Sequence, residues 1–142
     1  ENGFRTFIFG GAIGIDQLAM LAAVDKLPEH PNIKLICARP FPSQHIKWPQ
    51  HVQSEFLVLI GYMDIVDVSP EPYTVEKMMI RNEFMVNNSN VVVAVYDSSL
   101  GGGTKNCIDY AIGQGKSILT INPNSLEEKW IIIVIEKCRG LD

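Results

Sequence analysis

Two glycine-rich turns, each set between a β-branched run and a helix-like run, constrain this chain more than any other feature. At the first, Thr6-Phe7-Ile8-Phe9 leads into Gly10-Gly11-Ala12-Ile13-Gly14-Ile15-Asp16. At the second, the apolar run Val91-Val92-Val93-Ala94-Val95-Tyr96-Asp97 is followed by Gly101-Gly102-Gly103-Thr104. Strand, glycine turn and helix make up half of a parallel βαβ crossover. Such a turn also suits an anion, because glycine lets the backbone come close and the helix that follows presents unpaired N–H groups and the positive end of its dipole.

The rest of the chain repeats the alternation. Strands are predicted over residues 4–9, 33–38, 64–68, 91–97 and 117–121, and helices over 15–26, 52–62, 73–88 and 104–112. Ile15, Leu18, Ala19 and Ala22 define the expected buried face of the first helix; Val75, Met78, Met79, Met85 and Val86 define that of the third. Residues 126–138 are ambiguous, since Trp130 to Ile135 is continuous and largely β-branched but bracketed by charges, and they are read as a helix. Helices between successive strands imply a mainly parallel sheet of about five strands covered on both faces, a Rossmann-like three-layer α/β sandwich.

The chain's 142 residues suit a single domain, 1–142, and 46% hydrophobic content supplies a core without a long apolar span. A net charge of -4 with scattered Lys and Arg argues against a nucleic-acid partner. Cys37, Cys107 and Cys138 lie far apart with no CxxC pair, so neither a disulfide framework nor a metal site is expected. Soluble, reduced and cytoplasmic is the simplest expectation, with no membrane partner. The start at Glu1, almost directly on a strand, suggests that an N-terminal piece is missing.

In an open parallel sheet ligands gather at the carboxyl ends of strands, and the polar candidates fall there. Gly10, Gly11, Gly14 and Asp16 follow the first strand; Arg39, Phe41, Gln44 and Trp48 the second; Ser69 and Tyr73 the third; Asp97 and Gly101 to Lys105 the fourth. Gly101, Gly102, Gly103 and Thr104 are expected to hold phosphate, although the order Thr104-Lys105 is not that of a Walker P-loop. Asp16 suits either ribose hydroxyls or capping of helix amides. Phe41, Trp48 and Tyr73 suit stacking on a base or simple cover for the core. Asn82 falls among the apolar positions of its helix and needs partners, either a ligand or a loop carbonyl. By its helical position Arg81 is a surface cation, and Cys107 a buried, inert thiol.

With these residues in place the chain resembles the YpsA-like branch (DUF1273) of the SLOG superfamily, Rossmann-like proteins related to the LOG and DprA families. The resemblance is carried by Gly10-Gly11-Ala12-Ile13-Gly14-Ile15-Asp16, by Pro40-Phe41 with Gln44 and Trp48, and by Pro72-Tyr73. Arg81-Asn82 with Asn88-Ser89-Asn90, and Val95-Tyr96-Asp97 leading to Gly102-Gly103-Thr104, complete it. It implies a further strand and helix ahead of residue 1, and a nucleotide-derived or ADP-ribose-like ligand with no required cofactor. It also implies a ligand contact for Arg81. A homodimer through Trp130 to Ile135 is a further expectation. LOG-type N-glycosidic cleavage needs a glutamate that this alignment replaces with Cys107, which leaves enzymatic activity an open alternative beside a DprA-like, nucleic-acid-associated role.

Overall fold

A computed structural model describes residues 3–99 and 101–132. The chain divides into two compact units, Glu1–Met85 and Val86–Asp142.

The first unit is built as β1 (Thr6–Phe9), α1 (Ile15–Asp25), β2 (Lys34–Arg39), α2 (Gln50–Ile60), β3 (Asp64–Asp67) and most of α3 (Val75–Asn87). Its three strands form a parallel sheet in the order β1-β2-β3. Pairing of Phe9 with Cys37, and of Arg39 with Asp67, aligns the carboxyl ends of these strands. Met20, Cys37, Phe56, Leu59 and Ile60 form the core, with Phe9, Val24, Trp48 and Met63 packed against it. This arrangement puts the loops after β1, β2 and β3 at one edge.

The second unit contains β4 (Val91–Val95), α4 (Gly103–Gly113), β5 (Ser117–Ile121) and β6 (Glu128–Ile131), with sheet order β4-β5-β6. β4 and β5 run parallel; β5 and β6 run antiparallel. Val86, Ala94, Ile108, Ala111 and Ile118 make its core. The architecture is the Rossmann-like α/β sandwich read from the alternation, mainly parallel, with its strands in two sheets of three.

Three local expectations are corrected. Residues 128–131 are a strand, not a helix, because Glu128 to Ile131 pair antiparallel with Ile118 to Ile121 of β5; positions 133–138 of that expected helix lie outside the described residues. On α1 the predicted face is the outer one: Ile15 and Leu18 are exposed, whereas Met20 is fully buried, with Asp16, Gln17, Ala23 and Val24 partly covered. On α3 the predicted face holds in part: Val86 is fully buried and Met78 and Met85 are partly covered, but Val75 and Met79 are exposed, and Arg81 is buried and Asn82 partly covered beside them. Both helices carry apolar residues on more than one side, so hydrophobicity does not choose the face. The backbone groups of the neighbouring turns, which need Asp16, Gln17 and Arg81, do. No helix among the described residues is long and apolar enough to cross a membrane.

Candidate functional site

The site begins where β1 ends. Gly10 is buried, and a Cβ there would lie 2.7 Å from Arg81 Nη1 and 2.9 Å from Asp16 Oδ2. Gly11 has φ +72°, and its Cβ would meet the Phe56 ring at 2.9 Å and Cys37 Sγ at 3.1 Å. At Gly11 the left-handed backbone and the Phe56 ring call for glycine, while at Gly10 a Cβ would displace the Arg81 guanidinium or the Asp16 carboxylate.

Arg81, only 4% exposed, is the clasp of this turn. Its Nη1 donates to the Gly10 carbonyl and, at 3.5 Å, to the Ala38 carbonyl of β2, while Nε donates to Asn82 Oδ1 at 3.0 Å. The guanidinium thus ties α3 to the carboxyl ends of two strands, and Asn82 orients it. Asp16 Oδ2 accepts the Ala12 N–H at 3.2 Å, and Gln17 Nε2 donates to the Gly11 carbonyl at 3.4 Å. From the far side Gln44 Nε2 donates to the Gly10 carbonyl, also at 3.4 Å.

The loop after β2 is pinned in the same manner. Gln53 Nε2 donates to the carbonyls of Ile46 and Trp48, at 3.0 and 2.8 Å, and the Trp48 ring packs edge-on against Phe56 with centroids 5.2 Å apart. Glu71 Oε1 accepts the Ser43 N–H at 2.6 Å. After β3, Lys77 Nζ donates to the carbonyls of Pro70 and Pro72, both at 2.6 Å, and Thr74 Oγ1 accepts the Lys77 N–H at the start of α3. That staple holds Tyr73, whose ring meets Phe41 edge-on at 5.6 Å. Arg39 is engaged by Asp67, with bonds of 2.7 and 2.9 Å.

Between these three loops lies a cavity of about 240 Å³. Phe41, Trp48 and Tyr73 give it three aromatic walls; Ala12, Ile13 and Met78 complete the apolar lining. Gln44 supplies the one amide side chain among the described lining residues. The sequence singled out the three aromatics and Gln44, but Ile13 and Met78 were not foreseen as lining, nor Gln53, Glu71 and Lys77 as the residues that fix the walls. Their bonds reach back to loop carbonyls and one loop N–H, a pattern that no local motif spells. Cys37 lies beneath the turn, and burial pushes its thiol up to about 11 against the opposing pull of Arg39 and Arg81, so it is protonated and no nucleophile at neutral pH.

In the second unit Gly102 is the N-cap of α4, with φ +112° and no side-chain cap bond. Helix α4 therefore starts at Gly103, one residue before Thr104, and Asn106 N–H closes the first turn on the Gly102 carbonyl at 3.1 Å. Apart from the flanking residues and the backbone of α4 itself, no described atom lies within 4 Å of the place a Cβ would take at Gly101, Gly102 or Gly103. Asp97 Oδ1 accepts the N–H and hydroxyl of Ser99, and Oδ2 accepts from Asn124 at 3.3 Å. These bonds, led by the Ser99 N–H, hold its carboxyl below the usual range. Lys105 pairs with Asp109 at 2.6 Å, which raises its pKa. Cys107 is half-buried against the core of this unit. Among the described residues no cluster of three or more His, Cys, Asp or Glu could hold a metal ion.

A family model, YpsA, described as the YspA SLOG family, matches residues 1–126. The chain is 37% identical over 123 residues to the "Uncharacterized SPbeta prophage-derived protein YoqJ" of Bacillus subtilis (strain 168), covering 78% of this chain and 71% of that protein. It is 25% identical over 118 residues to UPF0398 proteins of Bacillus cereus (strain B4264) and Bacillus thuringiensis (strain Al Hakam), covering 82% of this chain and 64% of each relative.

Proposed function

The chain belongs to the YpsA SLOG family, and on that premise we propose that it binds a nucleotide-derived small molecule whose planar ring occupies the cavity of the first unit. The observation that carries this reading is the cavity wall: three aromatic side chains from two loops, each loop fixed by its own hydrogen bonds, around a space with a single amide. Ligand sites combine apolar and aromatic walls with a few placed polar groups in just this way. At about 240 Å³ the space falls under the roughly 300 Å³ at which pockets for whole drug-sized ligands begin. It therefore suits a ring-sized part of a ligand.

Arg81 and Asp16 act here as positioning residues, since both hydrogen-bond to the turn that carries Ala12 and Ile13. Taken by itself, the 101–104 turn of the second unit supports a separate phosphate-binding reading, since its helix start has no side-chain cap and its glycines have room at their Cβ positions. A binding role is favoured over catalysis because Asp16 and Asp97 are both engaged in turn hydrogen bonds, and Glu83 sits on the exposed side of α3.

Thermal-shift and calorimetric titration with a panel of nucleoside monophosphates tests the reading. A ligand at 100 times its dissociation constant stabilises by about 2.7 kcal/mol, a shift that is readily measured. Tyr73→Ala, at a largely exposed ring, is expected to leave the melting temperature nearly unchanged. It should weaken binding roughly 5- to 150-fold, the loss that corresponds to about 1–3 kcal/mol for one stacked base. Absence of any shift with every nucleotide at millimolar concentration would sink the proposal.

A further inference from the structure

We propose that the cavity selects rings by how little polar edge they carry: the edge far from the ribose enters an apolar floor, so unsubstituted bicyclic rings bind more tightly than keto- or amino-substituted bases. The inference rests on the ring-binding reading above and adds to it the class of ring.

The exposure of the lining residues gives the cavity a direction. Ile13 and Tyr73 are 54% and 59% exposed and mark its mouth, whereas Phe41 and Gln44, at 6% and 8%, lie at its floor. A space of about 240 Å³ does not take a whole nucleotide, and apolar walls do not compensate a sugar phosphate for the water it would lose. The sugar and phosphate therefore stay at the mouth, and the opposite edge of the ring goes inward.

That edge meets few groups able to replace its water. None of the described lining residues is charged; Ala12, Ile13 and Phe41 carry no polar side-chain atom, and Met78 has only a thioether. Gln44 is polar in type, yet its Nε2 is turned to the Gly10 carbonyl and its Oε1 is buried, out of a ligand's reach. Its amide thus acts as a brace for the first glycine turn. The Tyr73 hydroxyl belongs to a residue of the mouth. A C–H edge loses nothing on entering such a floor, whereas each keto or amino group gives up its hydration without a matching partner, a loss of roughly 5- to 150-fold in affinity per group.

Calorimetric titration of the full chain decides the matter, with the 5′-monophosphates of benzimidazole riboside and unsubstituted purine riboside, with IMP and GMP, and with ribose 5-phosphate. The first two keep the fused rings and carry no exocyclic group, and benzimidazole also exchanges two nitrogens of the six-membered ring for C–H. Both are expected to bind roughly 5- to 150-fold tighter than IMP, with the benzimidazole nucleotide tightest and GMP, which has one further polar group, weakest. Equal affinities across the four nucleotides overturn the selection and leave the ring-binding reading standing. So does tighter binding of IMP or GMP, which would mean that an N–H of Gln44 or Trp48 reads the ring. Ribose 5-phosphate binding as tightly as the nucleotides, or failure of all four nucleotides to bind, overturns both. The series needs no variant, so the outcome does not depend on whether a mutant folds.

Discussion

Gly14 and Gly102 hold the same place in their two turns: each is the N-cap of its helix, with φ of +103° and +112°, no side-chain cap and open space where a Cβ would stand. The neighbouring glycines part company. Gly10 and Gly11 are pressed by Arg81, Asp16, Phe56 and Cys37, whereas beyond the flanking residues and the backbone of α4 no described atom comes within 4 Å of a Cβ at Gly101 or Gly103. One turn is glycine-rich because other groups need the room; the other is glycine-rich while its surroundings are open. The same sequence grammar therefore records two physical demands, close packing in one unit and backbone exposure in the other, and only the surroundings tell them apart.

The largest effect is expected at Arg81, which closes the crowded turn. Arg81→Met removes the charged donor from the carbonyls of Gly10, which keeps only Gln44, and Ala38, and at about 1.5–3 kcal/mol per hydrogen bond to a charged group it is expected to cost about 4 kcal/mol in urea unfolding. A loss below about 1 kcal/mol would mean that the first turn holds itself. Gly11→Ala comes next: overpacking against Phe56 and Cys37, together with a left-handed backbone, is expected to cost about 3 kcal/mol.

Cys37 reports the same crowding through pH. Its thiol is at about 11 in the folded chain against 9.0 in the free group, so the unfolded chain loses this proton first. The contribution is fully present below pH 9 and fades as pH rises to about 11. Over that window the wild-type chain should lose on the order of 2–3 kcal/mol more than Cys37→Ala, measured by urea melts at each pH. The smallest effect belongs to the open turn. Gly103→Ala, in the first turn of α4 with room for a methyl group, should be neutral or stabilising by about 0.5 kcal/mol; a loss above about 1 kcal/mol would show that this turn, too, is packed.

Much of the fold was legible because strand and helix periods are local. The strand 117–121 matches the structure residue for residue, and the other β and α elements of the alternation lie within two residues of their expected bounds. What misled was the choice of face. On α1 the apolar stripe points outward; on α3 only its Val75 and Met79 do, while Val86 is in the core and Met78 and Met85 are partly covered, and Asp16, Gln17, Arg81 and Asn82 share the covered positions because they hold backbone groups of the turns or the groups that do. The antiparallel β6 was not legible because Glu128-Lys129-Trp130-Ile131 has no strand pattern of its own and becomes a strand by pairing with the edge of β5. Of the cavity, Phe41, Trp48 and Tyr73 were visible as aromatics at strand ends. Ile13 and Met78 were not, because apolar residues at such positions carry no mark of which loop they will face.

Arg81 reaches back 71 residues to Gly10 and 43 to Ala38. Closing loops of that length costs chain entropy that local contacts do not repay. The walls around Gly10 and Ala38 therefore cannot be fixed as the chain is laid down; they wait for α3. Release of that one helix would withdraw Arg81 from the first turn and Lys77 from the loop after β3 together, while the loop after β2 keeps its bonds to Gln53.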